Sequence, residues 1–142
     1  MRIYEATIVT EAIVNAFKKL IPQLSPNSPV QSKSELENLI NSNNTIILIA
    51  EEKAIIGTLT LVLNKIPTGN KVWIEDVVVD NIARGKGVGR KLTKFAIEYV
   101  FSKGITQINL TSSPERVAAN KLYQKLGFAK RETNVYRLTI NE

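Results

Sequence analysis

The sequence predicts an α+β fold class: a mixed, mostly antiparallel central sheet of about six to seven strands, with one parallel βαβ unit and about four flanking helices. Three observations predict it. Between Thr45 and Val79 the chain runs through apolar, β-branched segments separated by short polar turns, the signature of successive hairpins and so of antiparallel pairing. From Val88 the apolar period lengthens: Val88, Leu92, Phe95, Ala96, Tyr99 and Val100 form one helical stripe, with Arg90, Lys91, Lys94 and Glu98 facing away. Beyond Gly104, I-T-Q-I-N-L-T reads as another strand, so strand, helix and strand predict a parallel, right-handed crossover.

Arg2 to Ala6 reads as a short first strand, and Thr10 as the N-cap of a helix carrying Ile13, Val14, Phe17, Leu20 and Ile21. Pro22 is expected to end that helix. L-S-P-N-S-P-V is then an irregular loop, and a second helix starts at Ser34 with Leu36, Leu39 and Ile40 on its apolar face. T-I-I-L-I-A and I-I-G-T-L-T-L-V-L make a hairpin around E-E-K-A, and P-T-G-N turns into a central strand from Val72. Near the end, Pro114 suits a first helical position and Gly127 a C-terminal cap, with Ala118, Ala119, Leu122, Tyr123 and Leu126 at helical spacing between them. A strand from Phe128 and a last one at V-Y-R-L-T-I are expected to close the sheet.

At 142 residues and 44% apolar, the chain is expected to form one domain over 1–142. It shows no run of eighteen apolar residues and no charged-then-apolar leader, so no membrane association is expected and a cytoplasmic address is the default. There is no cysteine and no histidine. That excludes a Cys/His metal site, a disulfide, a cysteine nucleophile and an imidazole base, leaving Asp, Glu, Tyr, Lys, an α-amino group or water for proton transfer. The net charge of +6 favours an anionic ligand, either a nucleotide cofactor or a nucleic acid. Nucleic acid is the weaker choice, because the aromatic residues sit at core spacings rather than interleaved with lysines.

The chemistry concentrates at the end of the central strand. Its apolar runs Val72 to Ile74 and Val77 to Val79 suit a strand covered on both faces, and Glu75 and Asp76 interrupt them. A carboxylate in a buried strand costs free energy unless it has a purpose or a partner. Strict alternation would put Glu75 on one face with Val77 and Val79, and Asp76 on the other. Next come Gly85, Gly87 and Gly89 at the mouth of the amphipathic helix, where unpaired amides and the positive end of the dipole make an anion site. Arg84, Lys86 and Arg90 add charge. A P-loop is ruled out because Arg90 and Lys91 follow Gly89, and a dinucleotide fingerprint because Leu92 stands where its third glycine belongs.

What remains, Arg84-x-x-Gly87-x-Gly89 after a V-V-V-D strand end, resembles the acetyl-CoA pyrophosphate loop of the GNAT superfamily of N-acetyltransferases. Later, L-Y-Q-K-L-G-F resembles the signature those enzymes carry on the helix facing that loop. The resemblance covers the chain in order. It implies acetyl-CoA as cosubstrate, with no metal, held by Arg84, Gly85, Lys86, Gly87, Val88, Gly89 and Arg90, and by the backbone of Val77, Val78 and Val79 along the pantetheine arm. It implies Tyr123 as proton donor to the departing thiolate and the first two helices as the wall of the acceptor site. Many members carry an asparagine seven residues before that tyrosine; here Arg116 stands there, and Asn120 is the substitute one helical turn before Tyr123. Glu75 or Asp76 is the candidate base, through water, against the plainer role of pairing with a lysine. Without cysteine an acetyl-cysteine intermediate is excluded, and direct transfer to a primary amine of a small molecule, peptide or protein within a ternary complex is the remaining simple route. I-E-D-V-V-V-D with R-G-K-G also resembles glucosamine-6-phosphate acetyltransferases, and homodimers are frequent in the superfamily. The competing class is a non-catalytic module binding CoA or nucleic acid through its basic surface.

Overall fold

A computed structural model describes residues 1–141, which divide into two compact units, Met1–Thr111 and the residues from Ser112 onward. The first unit is built on a five-stranded sheet in the order β1-β2-β3-β4-β5: β1 is Arg2–Glu5, β2 Thr45–Glu51, β3 Ile55–Ile66, β4 Gly69–Val79 and β5 Ile108–Asn109. β1 to β4 pair antiparallel in succession, as successive hairpins require, and β4 pairs β5 in parallel. Five strands replace the six to seven expected. The shortfall lies at the end of the chain, where Phe128 to Asn141 form no strand; a strand exists only as a member of a ladder, and Val135, Tyr136, Leu138 and Ile140 stand exposed instead.

Helix α1 (Glu11–Leu24) is capped by the Thr10 hydroxyl, which accepts the Ile13 N–H at 3.2 Å. It does not stop at Pro22. A proline this close to the end removes only the bond to the Lys18 carbonyl, and the Ser25 N–H still closes on the Ile21 carbonyl at 2.8 Å. Helix α2 (Lys33–Asn41) begins with a capping box: Glu35 N–H donates to Ser32 Oγ and Ser32 N–H donates back to Glu35 Oε1. Ile13, Val14 and Phe17 of α1 and Leu36 of α2 bury themselves with Ile47 and Ile49 of β2 on one face of the sheet.

The other face carries helix α3 (Val88–Ser102), whose buried stripe is Val88, Leu92, Thr93, Ala96 and Val100. A Cβ at Gly57 of β3 would lie 3.1 Å from Leu92 and 3.3 Å from Val88, so glycine there sets how closely α3 lies on the sheet. The helix stops as expected at Gly104, which takes φ 78°, with Gly104 N–H bonded to the Phe101 carbonyl and Ile105 N–H to that of Val100, a Schellman closure. Among the described residues no helix is long and apolar enough to cross a membrane.

In the second unit the helix is shorter than expected. Pro114 does not open it; Pro114 and Glu115 form a turn closed by Arg116 N–H on the Ser113 carbonyl at 3.0 Å, where proline's fixed φ is equally at home. Helix α4 therefore runs Val117–Lys125, and Gly127 follows it at φ 103°.

Candidate functional site

β4 is the element that positions most of the predicted residues, and its register decides where they point. Opposite β3, Glu75 pairs Thr60 and Val78 pairs Thr58, leaving Asp76 and Val77 together across from Leu59. That is a β-bulge, and Asp76 takes φ 49° within it, a conformation aspartate tolerates better than most residues. The extra residue reverses the expected alternation. Glu75 shares its face with Val78, Thr58 and Thr60, and through Thr60↔Ile47 and Thr58↔Ile49 that is the face covered by α1 and α2. Nor are the two carboxylates buried: Glu75 and Asp76 are exposed, while Val72, Ile74 and Val78 are buried and Trp73, Val77 and Val79 half-buried. The Glu75 carboxyl is nevertheless raised above its ordinary value, first by the desolvation of its position on the sheet and then by the neighbouring Asp76 charge.

β5 pairs β4 only at Val72 and Trp73. From Ile74 to Val79 the outer edge of β4 has no ladder partner among the described residues. The predicted pantetheine contacts at Val77, Val78 and Val79 lie on this open stretch, where an extended ligand can add as a strand.

Beyond Val79, Asp80 opens a 3-10 turn at Asn81–Ala83 by accepting the Ile82 N–H. Arg84 Nε donates to the Val79 carbonyl at 3.2 Å, fastening the end of the turn to the end of the strand. Gly87 is the N-cap of α3 at φ 79° and ψ 16°, with no side chain to cap it. The first helical bond is from Lys91 N–H to the Gly87 carbonyl, 3.1 Å, so the amides of Val88, Gly89 and Arg90 have no helical acceptor. A Cβ placed on Gly85 or Gly87 would meet nothing within 4 Å, so the turn leading to those amides is open at both glycines. Arg84, Lys86, Arg90 and Lys91 are all exposed around them. These features fit a diphosphate: unpaired donors, the positive end of a helix, and cations at its rim. Among the described residues no cluster of acidic side chains could hold a metal ion.

Tyr123 lies half-buried on α4, its ring edge-on to Phe128 with centroids 5.8 Å apart. Burial raises its phenol above the ordinary value, and Arg116 offsets part of that. Tyr4 and Tyr99 are committed elsewhere, their hydroxyls donating to Glu51 at 2.8 Å and Glu5 at 3.0 Å; Tyr99 is pushed up to about 12, mainly by burial. Asn120 donates from Nδ2 to the Ser113 carbonyl, which spends one side of its amide on closing the preceding turn.

Residues 11–128 match the Acetyltransferase (GNAT) family. The chain belongs to that family. It is 32% identical to a mycothiol acetyltransferase of Renibacterium salmoninarum over 77% of this chain and 33% of that protein. It is 28% identical to glucosamine 6-phosphate N-acetyltransferase 1 of Oryza sativa subsp. japonica, over 87% of this chain and 79% of that one. The chain thus spans about a third or less of the mycothiol acetyltransferases it matches. In fold it resembles a putative acetyltransferase from Agrobacterium tumefaciens, with a TM-score of 0.83 at 20% identity over 98% of this chain and 100% of that one. It also resembles AAC(6')-Iy solved with a CoA-linked bisubstrate analogue, with a TM-score of 0.80 at 20% identity over 99% and 98% of the two chains.

Three interacting residues beside the loop escaped the sequence reading. Asp80 is 1% exposed and receives Lys19 Nζ at 2.9 Å and Gln23 Nε2 at 3.4 Å. An aspartate directly after a strand and before a turn is a signal for capping, and was available. Lys19 and Gln23 carry no local signal, since their partner lies some sixty positions away on the chain.

Proposed function

We propose that this GNAT-family chain is an acetyl-CoA-dependent N-acetyltransferase that passes the acetyl group directly to a primary amine in a ternary complex. The observation that carries the reading is the uncapped N-terminus of α3, with the unpaired amides of Val88, Gly89 and Arg90 behind Gly87 and next to the open edge of β4. In this reading Arg84 to Arg90 bind the diphosphate, and the backbone of Val77 to Val79 holds the pantetheine arm and polarises the thioester carbonyl. Glu75 is the base. It stands on the α1/α2 face, the side the family resemblance gives to the acceptor, and its carboxyl, raised above the ordinary value, accepts a proton more readily than a free glutamate. Glu75, directly or through water, takes the proton of the attacking amine. The nitrogen bonds to the acetyl carbon, the carbon–sulfur bond breaks, and the sulfur takes the Tyr123 proton. Tyr123 is assigned by its place in L-Y-Q-K-L-G-F and by the commitment of Tyr4 and Tyr99 to Glu51 and Glu5.

The acceptor is a small amine or a peptide amino group. The relative named glucosamine 6-phosphate N-acetyltransferase favours an amino-sugar-like substrate. The test is CoA release with acetyl-CoA over amino sugars, aminoglycosides, polyamines, amino acids and N-terminal peptides. Turnover of at least one primary amine is expected; acetyl-CoA binding without turnover of any would favour a CoA-binding module.

A further inference from the structure

The C-terminal turn of α1 is fastened to the first residues of the anion loop by side chains that no part of the proposed chemistry uses. Gln23 uses both ends of its amide: Oε1 accepts the Asn81 N–H at 2.9 Å, and Nε2 lies 3.4 Å from Asp80 Oδ1 and 3.2 Å from the Lys19 carbonyl. Lys19, one turn earlier on the same helix face, reaches the other Asp80 oxygen, Oδ2, at 2.9 Å. Asp80 is buried, and its backbone is already fixed on both sides, with its N–H on the Ile56 carbonyl and its carbonyl taken by the Ala83 N–H. Asn81, by contrast, is exposed, and Gln23 is the acceptor of its amide. Ile82 and Ala83 donate their amides to Asp80 as well, so the start of the segment from Asn81 to Gly87 hangs on Asp80 and Gln23, with the Arg84 contacts to Val79 and Asn81 beyond them.

We propose that Lys19 and Gln23 are positioning residues for the cofactor loop: from α1 they fix the Asp80–Asn81 corner and so the direction in which the Val88, Gly89 and Arg90 amides are presented. The inference rests on reading that loop as the cofactor site. Preorganised donors bind an anion without a further ordering cost, and a loop released from its corner has to be ordered by the ligand. Gln23 is also the second-last residue of α1, just before the Ser25 to Ser32 connection to α2, so the same residue joins the acceptor-side helices to the cofactor loop.

The experiment compares Gln23→Ala and Lys19→Met with wild type by amide hydrogen exchange of the ligand-free protein and by calorimetric titration with acetyl-CoA. Faster exchange confined to residues 81–90 is expected, with the β2 and β3 amides unchanged. The acetyl-CoA Kd should rise about tenfold, equivalent to about 1.4 kcal/mol. Lys19→Arg, which keeps the cation, should restore wild-type values. Wild-type exchange at 81–90 in both variants would overturn the clamp, as would acceleration spread over the whole sheet. Local loosening with wild-type affinity would overturn its role toward the cofactor. If wild-type protein fails to bind acetyl-CoA, the cofactor reading falls with this extension of it, and the exchange data alone then decide whether the clamp exists.

Discussion

Helices α2 and α3 start in opposite ways. At α2, Ser32 and Glu35 exchange hydrogen bonds, and the Glu35 carboxyl is held below its ordinary value chiefly by the Ser32 N–H. The orphan donors there are satisfied from within. At α3 the cap is Gly87 in a left-handed conformation with no side chain to offer, and the amides of Val88, Gly89 and Arg90 have no acceptor in the helix. Both helices pack an apolar face on the same sheet, so the difference does not arise from folding. On the proposed reading, stability and binding draw on the same donors, and a binding terminus is one from which the cap has been withheld.

The strongest way to break this contrast is to fill the open terminus. Gly89 has no positive φ and lies inside the first turn of α3, so Gly89→Val should fold, with a melting temperature close to wild type. Its side chain should cut acetyl-CoA affinity by about a hundredfold or more, since a bulky group stands where the phosphates approach. Calorimetric titration of the folded variant checks both parts. Next in size, Tyr123→Phe keeps the ring against Phe128 and removes the hydroxyl; kcat should fall by about 10², the lower end for general acid catalysis, with acetyl-CoA affinity within a few-fold of wild type. Steady-state kinetics with an identified acceptor, paired with a melt, measures this.

Ser32→Ala sharpens the same contrast from the other side. Losing the α2 cap should cost about 1 kcal/mol in denaturant unfolding and leave acetyl-CoA binding unchanged. The smallest effect concerns acid. The Asp80 carboxyl is held below its ordinary value of 3.8, first by the Lys19 hydrogen bond, against the opposing pull of its burial. A depressed native value means the unfolded state binds the proton more tightly, so this contribution is present above about pH 4 and is lost as pH falls through the native value. Melting temperature against pH should therefore fall less steeply below pH 4 in Asp80→Asn than in wild type.

Much of the first unit was legible because its signals are local. The hairpins, the α3 stripe, the Gly104 stop and the glycine turn each rest on residues within a few positions of one another. The failures share a cause: a local signal had two uses, or the partner was distant. Pro22 can end a helix or sit in its last turn, and Pro114 can open a helix or occupy a turn before it. The bulge at Asp76 became visible only in the register against Leu59, and it moved Glu75 to the α1/α2 face. V-Y-R-L-T-I has a strand's composition, yet composition supplies no ladder. The Lys19–Asp80–Gln23 contacts join α1 to the end of β4, a juxtaposition made by the fold itself.

The central claim, that the uncapped amides of α3 receive the diphosphate of acetyl-CoA, is tested most directly by following backbone amide resonances through a titration with acetyl-CoA. Saturable shifts should be largest at Val88, Gly89 and Arg90 and extend to the loop from Arg84, with the capped first turn of α2, Ser34 to Leu36, far less affected. Binding that leaves the Val88 to Arg90 amides unmoved and shifts residues elsewhere would contradict the account.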